Sequence, residues 1–131
     1  RRMIVVNTSV WIDWFQNKST PQVATLDDMG DLTDVIIGDI ILLEILQGER
    51  NDKLAAAIHS RLKRFGFVPM LTPELAVKAA ANYRKLRGLG KTVRKTADLI
   101  IGTYCIEHGH KLLQNDRDFQ PMADHLGLQL A

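Results

Sequence analysis

Short β-branched runs alternate along this chain with longer stretches of helical periodicity, and that alternation leaves few folds open. Strand candidates fall at residues 3–6, 35–37, 67–69, 111–114 and, with a weaker pattern, 128–130. Helical patterns fall at 9–16, 21–30, 40–47, 51–64, 74–88 and 97–108. The order predicts an α/β protein: a single domain over residues 1–131, with a central, mostly parallel sheet of about five strands flanked by helices. Helix ends carry supporting chemistry. Thr20-Pro21 and Thr72-Pro73 each set a capping hydroxyl before a proline suited to the first helical position. Asp39 and Thr96 are further cap candidates, and Gly48, Gly88 and Gly109 follow helix ends, where left-handed backbone is cheap.

Composition excludes several classes. At 131 residues the chain is long enough to bury about two-thirds of its unfolded surface. A net charge of +2 is too small to argue for nucleic acid by itself, so the distribution of charge has to carry that case. Cys105 is the single cysteine and lies in an apolar segment, which fits a buried thiol in a reducing compartment. No run approaches the roughly 18 unbroken apolar residues of a membrane span. Asp13 interrupts the apolar segment after Arg1-Arg2, against a signal peptide, so a cytoplasmic location is expected.

Four polar positions stand in apolar surroundings. Asn7 ends Met3-Ile4-Val5-Val6, Glu44 sits within the apolar stretch from Ile40 to Leu46, Asp98 precedes Leu99-Ile100-Ile101, and Asp116 follows the strand at 111–114. Carboxylates among apolar side chains are expensive unless something pairs with them. In a parallel sheet, residues just past the strand ends gather along one edge, where ligands bind. A shared divalent cation satisfies both facts. An all-oxygen set without histidine or cysteine selects Mg²⁺ or Mn²⁺, and such ions suit phosphodiester hydrolysis. Taken singly, some acids have a plainer role: Asp98 as a dipole complement, Asp118 as a turn former, Asp13 as a solvated residue on the first helix; Glu44, flanked on both sides by Ile and Leu, has no such structural explanation.

These residues also resemble a known family. Ile4-Val5-Val6-Asn7-Thr8-Ser9-Val10-Trp11-Ile12-Asp13 is similar to the opening of PIN-domain nucleases, with Asn7 where the family carries its first catalytic aspartate. Glu44-Ile45-Leu46-Gln47-Gly48 resembles the second acidic motif, Thr96-Ala97-Asp98-Leu99-Ile100-Ile101-Gly102 the third, and Asn115-Asp116-Arg117-Asp118-Phe119 the fourth. Length and small-domain form resemble the VapC toxins of VapBC toxin–antitoxin systems. The resemblance implies a Mg²⁺-dependent endoribonuclease that cuts a structured RNA, often a tRNA or ribosomal RNA. It also implies a homodimer and a VapB-type antitoxin whose C-terminal segment occludes the site. Glu44, Asp98 and Asp116 carry over as metal ligands with Asp118 in support, and Ser9 as a hydroxyl bonding within the carboxylate cluster. Asn7 departs from the pattern. An amide offers one neutral carbonyl oxygen in place of a charged pair, which predicts weak metal binding and little cleavage. The rest of the pattern is intact, which favours a recent or deliberate single change over long decay.

Charge is uneven. No acid occurs from Leu75 to Ala97, a window that holds Lys78, Arg84, Lys85, Arg87, Lys91, Arg94 and Lys95 and ends beside Asp98. It reads as an RNA-binding arm or as a solvated helix face. Trp11, Trp14 and Phe15 read as an interface, with dimer or antitoxin, or as core. Three rival functions remain to weigh. A receiver domain would need a mid-chain aspartate at a strand end, which is missing here. A degenerate, noncatalytic PIN domain is favoured by Asn7 alone. Metal-free cleavage by histidine pairs would rest on His108 and His110, which flank Gly109 at a helix end, or on the isolated His59 and His125.

Overall fold

The sheet is built around β1 (Ile4–Val6), which pairs in parallel with β2 (Val35–Gly38) on one side and β4 (Lys111–Leu113) on the other. Beyond β2 lies β3 (Gly66–Val68) and beyond β4 lies β5 (Gln129–Leu130), giving the order β3-β2-β1-β4-β5 with every pairing parallel. The computed structural model describes residues 3–29 and 34–131, so Arg1-Arg2 and the end of the helix expected at 21–30 lie outside the described residues. Val5, Val6, Ile37, Leu112 and Leu113 are all but inaccessible, as strands covered on both faces require.

Connections between parallel strands are right-handed, which decides where the helices go. The chain steps from β1 to β2 to β3 in one direction, carrying α1 (Thr8–Phe15), α2 (Pro21–Asp28), α3 (Asp39–Gln47) and α4 (Asp52–Leu62) to one face. It then returns across the sheet to β4 and β5, carrying α5 (Pro73–Gly88), α6 (Thr96–His108) and α7 (Gln120–Leu126) to the other. The packing agrees: α1 lies against α2 and α3, α3 against α4, and α5 against α6 and α7. Since β2 and β4 flank β1 but the chain leaves β1 only toward β2, a crevice opens at the carboxyl end of β1. Asn7 stands there.

Local chemistry mostly follows expectation, with instructive departures. Thr20 and Thr72 cap α2 and α5, their hydroxyls accepting from the N–H groups of Val23 and Leu75 at 3.0 and 3.1 Å. Thr96 is not a cap. Lys95 holds that position on α6 without a side-chain bond, and Thr96 is already helical. Asp39 also sits inside its helix, where its carboxylate accepts from Ile40 N–H and, across the chain, from Met70 N–H at 3.1 Å. Of the three glycines expected to be left-handed, only Gly109 is (φ 67°); Gly48 is right-handed and Gly88 is the last residue of α5.

The helix α7 and the 3-10 turn Arg117–Phe119 before it were not expected. No capping hydroxyl announces α7, and its stability comes from Met122, fully buried against Gly102 of α6. A Cβ on Gly102 would overlap the Met122 sulfur, so glycine is what lets α7 approach. Trp11 is wholly buried, its ring 5.1 Å from Phe65, and belongs to the core. A tryptophan so placed contributes on the order of 3–5 kcal/mol by the scale of truncation to alanine. Trp14 and Phe15 are half-buried with the Arg61 guanidinium over both rings, at 5.5 and 4.8 Å. Among the described residues, no helix is long and apolar enough to cross a membrane.

Candidate metal centre

Asn7 is anchored on both sides of the crevice. Its N–H extends the ladder to Leu113 O at 2.9 Å, and its carbonyl accepts from Val10 and Trp11, starting α1. The side chain is thereby fixed at the junction of β1, β4 and α1, and it is buried. Its amide Nδ2 makes a long hydrogen bond to Ser9 Oγ at 3.4 Å, while Oδ1 is buried with no hydrogen-bond partner among the described residues. Asp116 reaches the same place from β4. Its N–H donates to Gln114 Oε1 at 2.6 Å, and its Oδ1 accepts from Asp118 N–H at 2.9 Å, closing the turn that brings Asp118 alongside.

Asp98 arrives from the opposite direction, on the first turn of α6. The carboxylates of Asp98, Asp116 and Asp118 each offer an oxygen within 4.8 Å of the others. Burial, and after it the charge of Asp116, raises the Asp98 carboxyl from its ordinary 3.8 to about 6, against the opposing pull of Lys95; Glu44 and Asp118 push it further up. A helix N-terminus favours a carboxylate by only about 0.3–1 kcal/mol, so here desolvation and like charge outweigh the dipole. Asp98 Oδ2 is buried and, like Asn7 Oδ1, has no hydrogen-bond partner among the described residues.

Glu44 lines the same cleft of about 260 Å³ as Asn7, Asp98 and Asp116. It lies outside the mutually close triad, held by the Thr8 hydroxyl, which donates to its Oε1 at 2.7 Å. Ser9 does not bond a carboxylate of the triad. Its hydroxyl donates outward to Asn115 Oδ1 at 2.6 Å, and the Asn115 amide donates to Asp13 Oδ2 at 3.1 Å. Asp13 therefore supports the rim of the site, bridged also to Lys18, and is not merely a solvated residue. Sequence reasoning missed Thr8 and Asn115; the only available signal was that each adjoins a candidate ligand. The basic residues Arg84, Lys85, Arg87, Lys91, Arg94 and Lys95 are all exposed; Arg94 bonds Asp118, and Lys95 lines the cleft, where its charge opposes the rise in the Asp98 pKa.

The donor set fits a hard divalent cation. Every candidate ligand is an oxygen, the carboxylates repel one another, and two buried oxygens lack hydrogen bonds. The histidines do not assemble a comparable site. His108 and His110 stack beside Tyr104, with His108 Nδ1 on the Tyr104 carbonyl and His110 Nδ1 accepting from Met3 N–H.

An α/β domain whose acids converge at the end of its central strand defines a class, and sequence comparison identifies it: the chain belongs to the PIN-domain family, whose model matches residues 4–124. Among individual proteins it is similar to Ribonuclease VapC11 of Mycobacterium tuberculosis and to VapC ribonuclease Mb1587 of Mycobacterium bovis. Each is 31% identical to it, with 98% of both chains covered. Solved structures share the fold at lower identity. FitAcB from Neisseria gonorrhoeae superposes with a TM-score of 0.76 at 22% identity, over 98% of this chain and 96% of that one. VapBC2 from Rickettsia felis, bound to a DNA fragment from its promoter, gives 0.76 at 14%, over 98% and 97%.

Proposed function

We propose that this chain is a metal-dependent endoribonuclease toxin of the VapC type, impaired as it stands by Asn7. One observation carries the reading: the carboxylates of Asp98, Asp116 and Asp118 crowd within 4.8 Å, at a cleft lined by Asp98, Asp116 and Asn7 where Asn7 Oδ1 and Asp98 Oδ2 are buried without hydrogen bonds. Asp98, Asp116, Asp118 and Glu44 are the residues that would hold Mg²⁺ or Mn²⁺. When bound, such an ion polarises the phosphodiester and lowers the pKa of an attacking water. Thr8 keeps the Glu44 carboxylate turned into the cleft. Asp98, with a pKa of about 6, is mostly ionised at neutral pH and available as a ligand. The exposed basic arm of Arg84, Lys85, Arg87, Lys91, Arg94 and Lys95 supports binding to an RNA backbone, and the VapC likeness implies a folded RNA such as a tRNA or ribosomal RNA. A VapB-type antitoxin, a homodimeric assembly and a cytoplasmic location belong to the same reading.

Asn7 is where that machinery falls short. Its amide supplies one neutral oxygen, and its Nδ2 donates to Ser9, leaving the Ser9 proton committed to Asn115. The test is Asn7→Asp. The variant should cleave tRNA in proportion to added Mg²⁺ and lose that activity in EDTA. The gain should be on the order of a hundredfold or more, the scale of restoring one electrostatic group at a reacting centre. A variant that binds RNA but cuts nothing at any Mg²⁺ concentration supports the second reading, a noncatalytic PIN domain. That reading draws on the accommodation of the Asn7 amide by Ser9.

A further inference from the structure

Arg94 differs from the rest of the basic arm. The loop between α5 and α6 is pinned at both ends of its short run, by Lys91 N–H on Leu86 O at 2.8 Å and by the buried side chain of Val93. The residue after that anchor is therefore held against the site and does not trail in solvent. Its side chain is 78% exposed, and its guanidinium bonds Asp118 Oδ1 at 3.2 Å, Asp118 being a member of the close triad. A cation built into the chain thus sits on the outer edge of a cluster suited to a cation. A metal ion that takes this carboxylate meets a second positive charge already on it, and the two repel.

We propose that Arg94 is a resident counterion that competes with the divalent metal for Asp118 and, once displaced, contacts the phosphate backbone of the RNA. This inference rests on the nuclease reading and adds an exchange to it: with Asp118 engaged as a metal ligand, the Arg94 guanidinium would turn to a substrate phosphate instead. Guanidinium geometry suits both partners, since carboxylate and phosphate each accept its paired N–H groups. Exposure keeps the pair weak, so the exchange costs little. Arg94 therefore opposes metal binding and favours RNA binding, a combination of signs that a structural residue would not produce.

The experiment compares Arg94→Ala and Arg94→Lys in the Asn7→Asp protein, with Mn²⁺ as the metal and a short RNA hairpin as the substrate. Mn²⁺ should bind Arg94→Ala about two- to fivefold more tightly, the range an exposed ion pair allows. At saturating Mn²⁺, KM for the hairpin should rise about three- to tenfold, and the dependence of log KM on log salt should flatten by about 0.7–0.9, as for one lost phosphate contact. Arg94→Lys should recover most of the salt dependence. If Arg94→Ala binds Mn²⁺ equally or more weakly while Asn7→Asp still binds and cuts, this inference fails alone. Absence of Mn²⁺ binding to Asn7→Asp itself overturns both.

Discussion

Replacing Asp98 by asparagine should stabilise the metal-free protein at neutral pH, although it removes a candidate ligand. The buried carboxyl has its pKa raised from 3.8 to about 6, by burial first and by Asp116, Glu44 and Asp118, with Lys95 opposing. The folded state thus holds this proton more tightly than the unfolded chain. Stability falls as pH rises from about 3.8 to about 6, and above that the whole penalty applies. A difference of about two pH units corresponds to about 3 kcal/mol. Asparagine cannot ionise and escapes that penalty, but a buried amide without partners costs about 1–3 kcal/mol of its own. The net gain expected for Asp98→Asn is at most about 2 kcal/mol. Urea unfolding in EDTA measures it as a higher midpoint at pH 7.5 with an unchanged slope. The advantage should vanish or reverse near pH 4, where both forms are neutral. In the Asn7→Asp background, where the ligand set is complete, excess Mg²⁺ should also reverse it at pH 7.5, by stabilising only the chain that keeps Asp98. If Asp98→Asn is less stable than its parent in EDTA at pH 7.5, or the difference ignores pH, the crowded-carboxylate account is wrong.

Two further outcomes test the packing. Burial pushes the Cys105 thiol up to about 12, so it should resist thiol reagents in the native protein and react fully in urea, as a timed alkylation would register. Gly102→Ala places a methyl against the Met122 sulfur and should cost about 1–3 kcal/mol in urea unfolding. A neutral result would mean that α7 is free to retreat.

Much of the architecture could be read from residue order. Five short apolar runs and the helices between them already imply a parallel sheet, and the observed strands lie within two residues of expectation. Hydroxyl-proline pairs at Thr20 and Thr72 are local signals, and the structure keeps them. Polar residues at strand ends pointed to the crevice, because a parallel sheet gathers such positions whatever lies between them. The helix α7 escaped because its cause is remote. Met122 has a place to bury only because Gly102, on another helix, leaves one.

The chemistry of the site belongs to tertiary structure in the same way. That Thr8 holds Glu44, that Ser9 turns its proton to Asn115, that Asp13 props the rim and that Arg94 covers Asp118 are facts about distance between residues 24 to 106 positions apart. Hydrogen bonds and ion pairs are decided over a few ångströms and by the direction of a single proton, whereas sequence periodicity reports only which face of an element is dry. Residue order therefore pointed to the strand-end positions whose polar residues share one crevice. Folding decided how far apart they stand, which of them are shielded from water, and which already have a partner.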